Sequence, residues 1–145
     1  MRVYLDNCCF NRPFDNQSSI RVKLETDAKL YVQLLISTGK IELGWSYILD
    51  FENAANPFPE KKSTIEKWKY LATIDVVENV DILSKATGLT KWGLKAKDAL
   101  HVACAIEMKC EYFLTTDDIL QRKLKNTSEI KTLNHTEFIM TIEDL

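Results

Sequence analysis

Short apolar runs alternate with stretches of helical periodicity along the whole chain. Val3-Tyr4-Leu5 is such a run, stopped by Asp6, and predicts a short central strand over Arg2 to Leu5. The polar connection from Asn7 to Gln17 is read as a long loop. Ser18 or Ser19 then caps a helix whose apolar positions Val22, Leu24, Leu30, Val32, Leu34 and Leu35 continue to a stop at Gly39. Ile41 to Trp45 is a second strand. The helix from Ser46 to Ala55 must end before Pro57-Phe58-Pro59, where proline cannot continue it. A helix over about Lys61 to Ala72, a strand over Thr73 to Val77 and a helix over Ile82 to Thr87, stopped by Gly88, come next. Ala99 to Met108 is apolar almost all round, interrupted by His101 and Glu107, which predicts a helix buried on more than one side. Glu111 to Thr116 reads as a strand, Ile119 to Leu124 as a helix, Ile130 to Leu133 as the last strand and Thr136 to Ile142 as a terminal helix. Strand and helix in alternation predict an α/β fold with a mostly parallel sheet.

That alternation has a geometric consequence. A helix of about a dozen residues covers roughly 18 Å, and about six strand residues recover roughly 20 Å. Asp98, opening one element, and Asp117, closing the next, therefore return to the same edge of the sheet, the edge where ligands bind in open α/β folds.

Composition narrows the class. The 145 residues suit one domain with one core, and 46% hydrophobic with 28% charged residues is ordinary for a soluble globular protein. No apolar run approaches a membrane span, and Asp6 interrupts the N-terminus too early for a secretory signal, so the expected compartment is the cytoplasm. The four cysteines, Cys8, Cys9, Cys104 and Cys110, form no Cys-x-x-Cys pair and are expected to be reduced, packed thiols. A net charge of -2 argues against a protein that coats nucleic acid, so any such contact must be local.

Each carboxylate alone has an ordinary explanation as a turn, cap or first-turn residue. Glu52 is more pointed. On a helical wheel it lies between Ile48 and Leu49, with Ala55 close by, whereas Asp50 falls with Ser46 and Asn53, so Glu52 is the acid that reaches inward. Together Asp6, Glu52, Asp98 and Asp117 fall at strand ends or helix starts on one sheet edge. Clustered carboxylates repel one another unless protons or cations intervene. Oxygen-only donors with room for water suit Mg²⁺ or Mn²⁺ rather than zinc.

The segments Tyr4-Leu5-Asp6-Asn7, Trp45-Ser46 with Glu52, Lys97-Asp98-Ala99-Leu100-His101-Val102-Ala103 and Phe113-Leu114-Thr115-Thr116-Asp117 resemble, in order and spacing, the motifs of PIN-domain ribonucleases of the VapC toxin type. The resemblance spans nearly the whole chain. It implies a three-layer α/β/α sandwich, a Mg²⁺- or Mn²⁺-dependent endoribonuclease acting on RNA, and an acidic metal site at Asp6, Glu52, Asp98 and Asp117. Asn7 and Thr115 match the polar residues beside the first and last acids. Asp118 leaves open which of two adjacent acids serves. A cognate antitoxin protein is the implied partner, and a homodimer is left open. The loop Cys8-Cys9-Phe10-Asn11-Arg12-Pro13 departs from the commonest toxins, which bears on substrate choice.

Arg12, Lys95 and Lys97 are candidate phosphate contacts, since Lys95 and Lys97 place positive charge where it opposes a helix macrodipole. Phe14 is a candidate for stacking a base. Only two histidines, His101 and His135, are present, and His101 reads as a core or supporting residue rather than a general base. A catalytically silent PIN-like module that binds RNA or protein is the rival reading. An aspartyl-phosphate enzyme fits less well: the position two after Asp6 is Cys8, and Val76-Val77 and Leu133-Asn134 lack the acceptor Asp and late Lys of a receiver domain.

Overall fold

The computed structural model describes residues 1–11 and 18–143. Strands β1 (Arg2–Leu5), β2 (Glu42–Ser46), β3 (Ile74–Val76), β4 (Tyr112–Leu114) and β5 (Lys131–Leu133) form one five-stranded sheet in the order β3-β2-β1-β4-β5. Every neighbouring pair is parallel, with Tyr4 opposite Gly44 on one side and Phe113 on the other. Between and after the strands lie α1 (Asn7–Asn11), α2 (Ile20–Ser37), α3 (Tyr47–Ala54), α4 (Pro59–Leu71), α5 (Val80–Thr90), α6 (Ala96–Glu107), α7 (Asp118–Lys123) and α8 (His135–Glu143).

The crossover from β1 to β2 through α2 and the crossover from β3 to β4 through α5 and α6 travel in opposite directions along the sheet. Right-handed crossovers then put these helices on opposite faces, which gives the expected three-layer sandwich. Val3, Tyr4, Leu5, Leu43, Phe113 and Leu114 are fully buried, as strands covered on both faces must be. Gly44 is needed for closeness: a Cβ there would stand 3.1 Å from Met108 Cε and from Cys110 Sγ. Because β1 is flanked by β2 and β4, the chain order reverses at β1, and the crevice beyond its C-terminal end is the topological switch point.

Several boundaries differ from the sequence expectation, three of them instructive. The loop expected from Asn7 begins instead as α1, nucleated where Asp6 Oδ1 accepts from Asn7 N at 2.8 Å and Asp6 O from Cys9 N at 2.9 Å. Asn and Cys are weak helix formers, so burial of Cys9 and Phe10, not propensity, supports this turn. Residues 12–17, including Arg12 and Phe14, lie outside the described residues. Gly88 does not stop its helix: α5 packs along α6 and continues to Thr90, and the turn comes at Gly93, with φ of 87°. Ser46 ends β2 and caps α3, its Oγ accepting from Leu49 N at 3.3 Å.

Candidate active site

Asp6 leaves β1 at the switch point and is buried. Its Oδ2 accepts from Thr115 Oγ1 at 2.9 Å, and that same hydroxyl accepts from Asp117 N at 3.1 Å, so Thr115, just past β4, joins the first acid to the last. Burial pushes the Asp6 carboxyl up to about 7, helped by Cys8 and opposed by His101 and Thr115.

Glu52 points inward from α3, as the wheel placed it, and bonds through Oε1 to His101 Nε2 of α6. His101 is 1% exposed, and its Nδ1 meets Tyr4 OH at 2.6 Å, which in turn meets Ser46 Oγ at 2.6 Å. A continuous hydrogen-bonded chain thus runs from the acidic edge into the core. Asp50 turns elsewhere, accepting from Trp45 Nε1 at 2.9 Å and Lys69 Nζ at 3.0 Å.

Asp98 lies in the first turn of α6. Its carboxyl is raised, first by burial and then by the charge of Asp117, with Glu52 adding and His101 and Lys95 opposing. Asp117 caps α7, Oδ1 accepting from Ile119 N at 2.9 Å and Leu120 N at 3.1 Å. Asp118 is held instead by Arg21, whose guanidinium reaches both its oxygens at 3.0 and 2.9 Å. Of the two adjacent acids, Asp117 is therefore the one whose charge is felt at Asp98. Lys95 caps α6 beside Asp98, whereas Lys97 lies 5.8 Å from the centre of the exposed Phe51 ring, away from Asp98.

Cys8 joins this cluster although its sequence suggested only packing. Its Sγ lies 3.4 Å from Asp6 Oδ2 and accepts from Thr116 Oγ1 at 3.1 Å, and hydrogen bonds, that with Cys9 foremost, pull the thiol down to about 5. Its place beside Asp6 follows from α1, the helix the sequence hid. The other three thiols are buried, and all four are free.

Whether these residues suit a divalent cation can be judged from their charge state. Two carboxyls held above their ordinary range, one by burial beside a thiol and one by burial beside another carboxylate, form a site that gains from added positive charge, and its donors are hard oxygens. Among the described residues, no three His, Cys, Asp or Glu side chains yet converge closely enough to grip an ion. The raised carboxyls would gain from a cation, while their side chains do not converge on one point in this structure.

No protein-family model matches the chain, and no curated protein is detectably similar in sequence. Solved structures share its fold. A chain of VapBC-1 from nontypeable Haemophilus influenzae superposes with a TM-score of 0.59 at 16% identity, covering 94% of this chain and 99% of that one. FitAcB from Neisseria gonorrhoeae gives 0.58 at 15%, covering 92% and 98%. VapBC2 from Rickettsia felis, bound to a DNA fragment from its promoter, gives 0.58 at 14% with the same coverage. The expected PIN-like architecture is thus the fold of this chain. Among the described residues no helix is long and apolar enough to cross a membrane.

Proposed function

We propose that the chain is a Mg²⁺- or Mn²⁺-dependent endoribonuclease acting at the edge where Asp6, Glu52, Asp98 and Asp117 meet. The observation that carries the reading is the placement of the acids: Thr115 bonds both the Asp6 carboxylate and the Asp117 amide at the edge where α6 opens with Asp98, and the charge of Asp117 is felt at Asp98. Asp6, Asp98 and Asp117 would hold the ion, with Glu52 alongside. The chemistry such an ion supplies is activation of a water and stabilisation of charge on phosphate oxygens.

The chain's own residues prepare for this. Thr115 orients Asp6 by donating to Oδ2, and the amides of α7 hold Asp117 Oδ1 and leave its other oxygen for the site. His101 fixes Glu52, and Asp6 releases its proton near neutrality as positive charge arrives. Lys95, beside Asp98, is the proposed phosphate contact; Lys97 is a weaker candidate because of its position over Phe51. The similar structures carry paired names, VapBC and FitAB, which supports an antitoxin-like protein partner for this chain also.

The rival reading, a silent module that binds RNA or protein, draws on the absence of three converged ligands among the described residues. Two measurements separate them: Mn²⁺ binding followed by electron paramagnetic resonance, and cleavage of single-stranded RNA, each for wild type, Asp98→Asn and Asp117→Asn. A nuclease should lose activity on the order of a hundredfold or more in both variants and bind Mn²⁺ more weakly. Cleavage that is unchanged in both variants ends the active-site assignment.

A further inference from the structure

Glu52 also forms one wall of a cleft of about 330 Å³ that reaches the start of α4. Asn7, Asn53 and Asn56 line it together with Phe58 and Lys61. Three amides, an aromatic ring and a cation in one small cleft is an unusual lining for a packing gap.

Two of the amides are incompletely satisfied. Asn53 is 4% exposed, and its Nδ2 donates to Lys62 O at 3.0 Å, which fixes the other end as oxygen; that Oδ1 has no hydrogen-bond partner. Among the described residues Asn7 Oδ1 is likewise buried without a partner. A buried acceptor left unmet is costly, and a water, an ion or a ligand donor can meet it. Phe58 supplies the complementary surface. Asn56 Oδ1 accepts from Phe58 N at 3.1 Å and so sets the Asn56-Pro57-Phe58 turn, while the ring stays 56% exposed with Lys61 Nζ 4.6 Å from its centre. At that exposure the ring is not part of the core.

We propose that this cleft is a nucleobase subsite, in which Phe58 stacks one base of a single strand while the amides of Asn7 and Asn53, whose oxygens are buried in this structure, turn to accept hydrogen bonds from its Watson–Crick edge. Stacking is blind to base identity, so selectivity comes from the two acceptors. They favour bases that present amino donors. Guanine, with N1–H and N2–H₂ side by side, is favoured most. Uracil is disfavoured, because its two carbonyls flank its single N–H and would face the asparagine oxygens. Glu52 is shared between this cleft and the acidic edge, so the bound base belongs to a nucleotide next to the phosphate under attack. The subsite rests on the ribonuclease reading for the identity of the polymer, but base binding is measured without cleavage.

The test uses fluorescein-labelled uridine pentamers whose central base is U, G, A or C, with binding to the full chain followed by anisotropy in EDTA. Wild type should bind the G-centred pentamer most tightly and the all-U pentamer least. Phe58→Ala should weaken every pentamer by about tenfold. Asn7→Ala should flatten the preference among bases, weakening the G-centred pentamer most and relieving the penalty on the all-U pentamer. Asn53→Ala also releases the Lys62 carbonyl, so its thermal melt is recorded and Asn7→Ala carries the conclusion where Asn53→Ala unfolds. Equal binding of all four pentamers by wild type overturns the proposal, and so does unchanged affinity in Phe58→Ala. RNA cleavage in Mg²⁺ is scored separately. Cleavage with no base preference removes the subsite and keeps the nuclease; base preference without cleavage does the reverse.

Discussion

Asp6→Asn should make the metal-free protein more stable at pH 8 and not at pH 4. The Asp6 carboxyl is raised from 3.8 to about 7 in the folded chain. Below 3.8 it is neutral in both folded and unfolded states and costs nothing. As pH rises, the unfolded chain ionises first, so stability falls from pH 3.8 and levels off once the folded carboxyl also ionises, above about 7. A displacement of about three units corresponds to ~4 kcal/mol. Asparagine removes the charge but not the site's geometry: its Oδ1 still accepts from Asn7 N, and the Thr115 hydroxyl turns to accept from the new amide. Allowing about half for imperfect replacement leaves a gain of ~2 kcal/mol, or about 7 °C for a chain of 145 residues. Thermal melts by circular dichroism in EDTA at both pH values measure it. Adding Mg²⁺ should raise the wild-type midpoint and leave that of Asp6→Asn where it was, by up to ~2.7 kcal/mol at a hundredfold excess over Kd. A variant that melts below wild type at pH 8, or gains equally at pH 4, would show that Asp6 carries no stored charge penalty.

His135 titrates in the opposite sense. Burial lowers it from 6.5 to about 3, and at 1% exposure neither ring nitrogen has a hydrogen-bond partner, so its contribution is intact above pH 6.5 and drains as pH falls toward 3. By pH 5 the loss is ~2 kcal/mol, and His135→Leu should abolish it; urea midpoints at pH 7 and 5 that fall equally in both proteins would refute this. Tyr4→Phe keeps the ring stacked on Phe113 but strips Ser46 and His101 Nδ1 of their shared partner, at ~1–3 kcal/mol by urea denaturation; no loss would mean that water replaces the hydroxyl. Gly44→Ala should cost ~1–3 kcal/mol by pressing on Met108 and Cys110, and a variant as stable as wild type would show that Met108 moves aside freely.

The order of elements was legible because strand runs and helical faces differ in period, and because proline at 57 and 59 and glycine at 39 punctuate them. The direction of Glu52 was legible too, since only the apolar side of α3 can face α6. What could not be read was whatever depends on contact between distant elements. Cys8 looked like filler because the helix that carries it is held by burial of Cys9 and Phe10 rather than by propensity. That Asp118 is held by Arg21, nearly a hundred positions away, has no local signal in the sequence. Gly88 misled because packing of α5 on α6 outweighs the ~1 kcal/mol that glycine costs a helix.

Alignment of the site with the core comes down to one register between β1 and α6. In a strand, residues two apart face the same side, so Tyr4 and Asp6 look toward the same layer of helices. The Tyr4–His101 bond fixes which turn of α6 lies over β1. Stepping from Tyr4 to Asp6 advances ~6.6 Å along the strand, and stepping back from His101 to Asp98 advances ~4.5 Å along the helix toward the same edge. The Tyr4–His101 bond thus lies two residues deeper in the core than Asp6, and the other nitrogen of His101 holds Glu52 from a third element. A fold that buries Tyr4 and His101 correctly therefore orders Glu52 through His101 and leaves Asp6 and Asp98 at the same edge of the sheet, which is how a raised carboxyl such as Asp6 is held in place.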